Sequence, residues 1–285
     1  MKRIVVLAKQ VPDTENVGDH AMKEDGTVNR AKLPAIFNPE DLNALEMALQ
    51  IREKLGGNVT VISMGPPSAK EILKHSLYMG ADEVYLISDR KFAAADTLAT
   101  SYVLAETVKY LGDCDLVLAG RQAIDGDTAQ VGPQTAEKLS FNQITYVDNI
   151  LEIGDDHLVV KRDGEKQMEE IKSQFPILLT VTSNANEPRY PDSRKMLKYF
   201  RADLEDNFEE NEVEKAREND WIIPVLNAED LGLEEERCGL KGSPTRVHNI
   251  KNIKLSGGDL EIYSDKDEGI KDLVKDIMKD YVEVE

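Results

Sequence analysis

The feature that most constrains this chain is the stretch from Asp115 to Pro133, DLVLAGRQAIDGDTAQVGP, where an apolar run passes through a loop rich in Gly, Asp and Thr into a helix. Leu116–Ala119 contains no polar residue, as expected of a parallel strand buried on both faces. Gly120 lets the backbone leave the sheet. The next helix cannot start much before Gln130, because Pro133 lacks an N–H and is tolerated only in a first turn. The residues between form a loop beyond the carboxyl end of a strand, with unpaired N–H groups facing outward. Open α/β sheets hold phosphates and nucleotides at such places.

Alternation of apolar and helical patterns extends this unit along the chain. Ile4–Ala8, Val59–Met64, Val84–Ser88 and Leu116–Ala119 are expected strands, with helices near 39–55, 67–79 and 96–111. The fold class that follows is α/β, a doubly wound and mostly parallel sheet of the adenine-nucleotide-binding type. The first helix is marked by Asn38 as N-cap, Pro39 in the first position, Glu40 and Asp41 at the positive end of the dipole, and Gly56-Gly57 as a stop. Its inner stripe is Leu42, Leu45, Leu49 and Ile51 or the stem of Arg52. From Thr145 to Thr182 the pattern changes to Ile150–Ile153, His157–Lys161, Gln167–Lys172 and Pro176–Val181, broken by GDD and DGE turns. These runs predict an antiparallel meander extending the sheet.

Residues 201–220 hold nine acids and three bases with little to bury, the composition of a solvated helix or linker. After them come Trp221–Leu226 and an amphipathic pattern with Ile270, Leu273, Ile277 and Met278. The expected organisation is a nucleotide-binding domain over 1–200, then an acidic linker and C-terminal arm over 201–285. Apolar stripes without a core of their own need another subunit to cover them.

With 54 acidic and 35 basic residues the net charge is −19, which argues against nucleic acid and anionic membranes as partners. A bound dinucleotide must then be gripped by backbone amides and a few placed cations. Cys114 and Cys238 match no metal or redox spacing and are expected to be reduced thiols. No apolar run approaches the ~18 residues of a membrane span. The opening MKRIVVLAKQ is a strand pattern without a cleavage site, so the expectation is a cytoplasmic protein with no membrane insertion. His20, His75, His157 and His248 share no i,i+4 face, and no nucleophile elbow is present, so neither a metal site nor a catalytic residue is expected. Asp155-Asp156 belongs to a turn. In the loop SMGPPSAKE, Ser63 and Met64 either touch a nucleotide or only shape a βα turn, and the SGGxDS pattern of adenine-nucleotide enzymes is missing. Asp96-Thr97 is explained by an N-cap of the third helix.

LAGRQAIDGDTAQVGPQTAEKL closely resembles the signature of the electron-transfer flavoprotein β subunit. LAKQVPDT (7–14), FNPEDLNALEMAL (37–49), NEPRY (186–190) and GLKGSPTRV (239–247) agree in the same order, so the resemblance covers nearly the whole chain. It implies a heterodimer in which this chain is a nucleotide-binding domain set against the α subunit, whose mobile domain carries FAD. The tail would be the arm that reaches that domain.

The family has two branches. In the mitochondrial type the loop resembles IDDDxNQTG and holds AMP as a structural ligand. Here Ile124–Pro133 is IDGDTAQVGP, similar to the branch whose β subunit holds a second FAD and takes electrons from NADH. Gly126 removes a side chain and a negative charge beside the phosphates, and Arg121 offers a guanidinium that can stack on or hydrogen-bond to the isoalloxazine. By this correspondence Ala8, Asn38, Asp41, Ser63 and Met64 line the adenine and ribose end. Arg121, Gln122, Ala123, Asp125, Gly126, Asp127, Thr128, Ala129, Gln130, Val131, Gly132 and Thr135 follow the phosphate and ribityl path, and Asp96 and Thr97 lie near the flavin. For Asn38 the N-cap reading is complete without a ligand. After NEPRY the mitochondrial branch has a leucine that plugs into acyl-CoA dehydrogenases, whereas here Pro191–Lys195 places Ser193 there.

The function implied is a β subunit that oxidises NADH and splits the electrons by flavin-based bifurcation. One electron goes to a low-potential acceptor such as ferredoxin or flavodoxin. The other passes through the α-subunit FAD to a partner such as an acyl-CoA dehydrogenase, a lactate dehydrogenase or a quinone reductase. The flavin does the redox chemistry, so no protein acid or base is needed. The alternatives are an AMP-holding, non-bifurcating carrier and a non-redox nucleotide-binding sensor of the same α/β fold.

Overall fold

Runs of branched apolar residues fix the strands of a parallel sheet, because only a strand covered on both faces can be apolar throughout. The computed structural model describes residues 3–13, 33–245, 262–264 and 266–282. Along the chain it has β1 (Arg3–Leu7), β2 (Gln10–Pro12), β3 (Ala35–Phe37), α1 (Pro39–Leu55), β4 (Asn58–Met64), α2 (Lys70–Met79), β5 (Glu83–Ile87), α3 (Thr97–Leu111) and β6 (Leu116–Gly120). There follow α4 (Val131–Leu139), β7 (Asn142–Ile153), β8 (His157–Gly164), β9 (Gln167–Gln174), β10 (Ile177–Val181), α5 (Ser193–Tyr199), β11 (Asp203–Leu204), α6 (Val213–Glu218), β12 (Ile222–Ile223), β13 (Val225–Leu226) and α7 (Asp267–Val282). Met1–Arg246 makes one compact unit and Val247–Glu285 a second. Thr14, His20, Arg246, Val247 and His248 lie outside the described residues.

Among the described residues the main sheet has the order β13-β5-β4-β1-β6-β10-β7-β8-β9. From β13 to β7 every pairing is parallel. α1 leads from β1 to β4 on one side and α3 returns from β5 to β6 on the other, so the strand order reverses between β1 and β6. α1 and α2 cover one face, with Leu45, Leu49 and Leu73 against Ile4, Val6, Val61 and Leu118. α3 and α4 cover the other, with Val103, Val108 and Ala136 against Val5, Leu7, Val117 and Leu178. This is the doubly wound α/β arrangement expected from the sequence.

Two expectations are corrected. Pro176–Val181 is not the last strand of an antiparallel meander: β10 lies between β6 and β7 and runs parallel to both, and within the main sheet, among the described residues, only β7, β8 and β9 pair antiparallel. Its residues Ile177–Val181 are all buried, the pattern of a central strand rather than of a half-exposed one. Residues 201–220, in turn, are not a linker, and they fold together with the Trp221–Leu226 piece. Ala202, Leu204, Ala216 and Ile223 are buried, β11 pairs with β12, and β13 adds Val225 and Leu226 to the β5 edge. The boundary expected at 200 therefore does not describe the molecule. Carboxylates hid these buried positions in the sequence, and several of them are neutralised by Lys70–Asp203 (2.6 Å), Arg201–Glu212 (2.7 Å) and Arg217–Glu205 (2.6 Å).

α1 is buried almost all round, including the polar Asn43 and Glu46. Both face the NEPRY segment. Asn43 Nδ2 donates to the Asn186 carbonyl (2.7 Å) and Asn186 Nδ2 to the Asn43 carbonyl (3.0 Å). Glu46 accepts from Nε, Nη2 and the backbone N–H of Arg189, whose Nη1 reaches Glu53 at 2.6 Å. Two segments that carried the resemblance thus hold each other in the fold. Arg189→Ala leaves Glu46 buried without its counter-ion and is expected to cost about 2 kcal/mol, less than for a fully buried pair because the guanidinium is partly solvated. Chemical denaturation checks this against Arg194→Ala on the surface, which should change stability by less than about 0.5 kcal/mol.

Candidate functional site

The parallel strands bring their carboxyl ends to one edge, and the expected site residues from β1, β4, β6, α1 and α4 meet there. The centre of the site is Asp41. One carboxylate oxygen accepts the Lys9 N–H beyond β1 (2.8 Å) and the other accepts the Gly120 N–H at the end of β6 (2.9 Å). Burial pushes its pKa up to about 7, against the lowering effect of the Lys9, Asn38 and Gly120 hydrogen bonds and the Lys9 charge. Gly120 is required by this approach: a Cβ there would lie 2.5 Å from Asp41 Oδ1 and 2.8 Å from the Glu40 backbone.

Asn38 corrects the capping expectation. Its backbone occupies the N-cap position of α1, but its side chain makes no cap bond. Instead Nδ2 donates to the Gln122 carbonyl (2.9 Å) and Oδ1 accepts the Ile124 N–H (3.1 Å), so the buried amide shapes the β6–α4 loop. Glu40, which sequence reasoning assigned only to the helix dipole, grips Arg121 through Nε and Nη2 (both 3.1 Å) and accepts the Gln122 N–H (3.0 Å). Arg121 is therefore a paired cation. Lys9, also missed, holds both oxygens of Asp125 at 2.8 Å. Nothing local in the sequence marked either role, which depends on the first turn of α1 being buried, Glu40 and Asp41 included.

The loop then turns sharply. Gly126 and Asp127 both donate to the Ala123 carbonyl, Gln122 Nε2 donates to Asp127, and Asp127 (φ 49°) and Ala129 (φ 51°) take left-handed conformations uncommon for these residues. A Cβ at Gly126 would meet nothing within 4 Å among the described residues. The backbone N–H groups of Thr128, Ala129, Gln130, Val131 and Gly132, at the start of α4, have no acceptor among the described residues. Such a row of donors at a helix N-terminus suits an anion. Ser63, at the end of β4 with Met64, keeps a buried hydroxyl without a partner among the described residues, and Ala8 is buried at the end of the neighbouring β1. A row of such donors and an orphaned hydroxyl at one edge of the sheet fit a nucleotide.

Other expected residues have partners within the chain. Thr135 is buried and donates to the Val131 carbonyl (2.7 Å), and Gly132 sits against Thr180 of β10, where a Cβ would be 2.7 Å from Thr180 Cγ2. Asp96 caps α3 by accepting the N–H of Leu98 and Ala99, and its second oxygen accepts the N–H and hydroxyl of Thr245. Burial raises the Asp96 pKa, but these bonds outweigh it and hold the carboxyl below the usual range. Thr97 donates to Gln130 (2.9 Å), joining the starts of α3 and α4. Burial raises the thiol pKa of Cys114, to about 12, and of Cys238, which disfavours the thiolate in both. Among the described residues no cluster suits a metal ion, and no helix is long and apolar enough to cross a membrane.

A family model for the electron transfer flavoprotein domain matches residues 25–215. The chain is 46% identical over 244 residues to the electron transfer flavoprotein subunit beta of Thermoanaerobacterium thermosaccharolyticum, covering 86% of this chain and 85% of that one. It is 46% identical over 257 residues to subunit CarD of the caffeyl-CoA reductase-Etf complex of Acetobacterium woodii, covering 90% of both. The acryloyl-CoA reductase electron transfer subunit gamma of Anaerotignum propionicum is 39% identical over 284 residues, covering 98% of this chain and 99% of that one.

The geometry at Asp41 has a pH signature. In the folded chain Asp41 keeps its proton up to about pH 7, against about pH 4 for an unfolded aspartate. Its contribution to stability is full below about pH 4 and is lost as the pH rises through 7. Denaturation of the wild type and Asp41→Asn across pH 4–8 should show the wild type losing stability relative to the variant over that interval. A constant difference would contradict the assignment.

Proposed function

Because this chain belongs to the electron transfer flavoprotein family, as a subunit of the beta type, we propose that its β6–α4 loop binds FAD in a cytoplasmic α/β heterodimer that oxidises NADH and bifurcates the electrons. The observation that carries this reading is the row of N–H groups from Thr128 to Gly132 without an acceptor among the described residues, at the same carboxyl edge of the sheet where the buried Ser63 hydroxyl also has no partner among them. A pyrophosphate would be held by those dipoles, with the adenosine toward Ala8, Ser63 and Met64 and the ring toward Arg121. The acids at this edge do not oppose it, since Glu40 is paired with Arg121 and Asp125 with Lys9. Gly126 supports FAD over AMP, because the position is open and uncharged. When bound, the flavin supplies the redox chemistry, exchanging electrons with NADH and with a low-potential acceptor such as ferredoxin or flavodoxin.

Partner surfaces complete the reading. α7 exposes Ile270, Leu273, Val274 and Met278, an i, i+3, i+4, i+8 stripe suited to the α subunit. After NEPRY, Ser193 opens α5, and Tyr190, Met196, Leu197 and Phe200 stand exposed beside Arg194, Lys195 and Lys198. In a chain of net charge −19 this apolar, cationic patch would receive the dehydrogenase or reductase that takes the second electron. The names of the relatives support partners of the acyl-CoA reductase type.

Anaerobic mixing of the α/β complex with NADH, without any dehydrogenase, should bleach the flavin absorbance within seconds. A complex shown to hold two FAD that does not bleach contradicts NADH oxidation. Gly126→Asp should weaken the β-site FAD by roughly 1–2 kcal/mol through added charge beside the phosphates, read as flavin lost on gel filtration.

A further inference from the structure

Tyr146 carries a backbone anomaly that the fold does not need. In the parallel ladder between β10 and β7, Leu179 faces Ile144 and Val181 faces Val147, so Thr145 and Tyr146 together oppose Thr180 alone. This is a bulge, and Tyr146 takes φ 60° within it. A left-handed conformation is an outlier for a bulky residue. Bulges re-aim side chains beside functional sites, and strained residues persist where the surroundings over-determine them. Thr180 supplies the constraint. It is buried inside an otherwise apolar strand, its hydroxyl accepts the Tyr146 N–H (3.1 Å), and its methyl packs on Gly132 at the start of α4.

The result is a ring placed against Arg121, with the guanidinium carbon 5.7 Å from its centroid. Glu40 holds the Nε and Nη2 edge of the same guanidinium. Nη1 is left without a partner among the described residues. We infer that Tyr146 is a positioning residue of the nucleotide site: its bulge sets the ring so that the Arg121 guanidinium, clamped between ring and carboxylate, presents Nη1 to an anionic part of the bound nucleotide. The inference rests on the reading of the β6–α4 loop as that site.

The test uses the complete α/β complex with its α-subunit flavin in place and its β-site nucleotide removed. FAD is titrated by calorimetry into wild type, Tyr146→Phe, Tyr146→Leu, Arg121→Gln and the Tyr146→Leu/Arg121→Gln double variant. Tyr146→Phe keeps the ring and should bind within about twofold of wild type. Tyr146→Leu should bind about three- to tenfold more weakly, the scale of a partly exposed cation–π contact. In the Arg121→Gln background, Tyr146→Leu should add no further loss, because its role acts through the guanidinium. An equal loss in both backgrounds means that Tyr146 is merely structural and overturns the inference, as does a Tyr146→Leu complex that binds like wild type while Arg121→Gln does not. Unchanged binding in Arg121→Gln overturns the reading of the site as well.

Discussion

The structure depends on one close approach, the N-terminal turn of α1 against the end of β6. Asp41 bridges the Lys9 and Gly120 N–H groups there, at the position where the strand order reverses. The bridge exists only because residue 120 has no side chain, since any Cβ would sit inside the Asp41 carboxylate and the Glu40 backbone. Once α1 is seated this way, Asn38 and Glu40 fall on the Gln122–Ile124 backbone and Arg121. The loop takes its shape from the helix that precedes it by about 80 residues, and its later N–H groups are left without an acceptor among the described residues.

That arrangement answers how so acidic a chain can hold an anionic ligand. The net charge of −19 would repel phosphate, yet at this edge each nearby carboxylate has an assigned partner. Asp41 is burdened by burial and satisfied by two amides, Glu40 is matched by Arg121, and Asp125 by Lys9. What remains is a set of backbone N–H dipoles without an acceptor among the described residues, a kind of group that binds anions without any net positive charge.

Much of this was legible in the sequence. The strand, Gly120 and the placement of Pro133 located the loop, and the alternation of strands and helices gave the doubly wound sheet. β10 was misread because ILLTV is too short for periodicity to tell a central strand from the end of a meander; its partners are set by packing. Residues 201–220 read as a linker because their carboxylates outnumber the few buried side chains that decide their place. Asn38 showed the opposite difficulty. Its position matched the helix rule while its side chain served a loop far along the chain. Glu40, Lys9 and Tyr146 had no local signal at all, since each acts on a residue between 25 and 116 positions away.

In the proposed function the β6–α4 loop is the seat of a flavin in this subunit. Its most direct test is the identity and stoichiometry of nucleotide released when the purified α/β complex is denatured. Two FAD per heterodimer and no AMP is the predicted result. One FAD with one AMP would contradict it and make the loop the seat of a structural nucleotide.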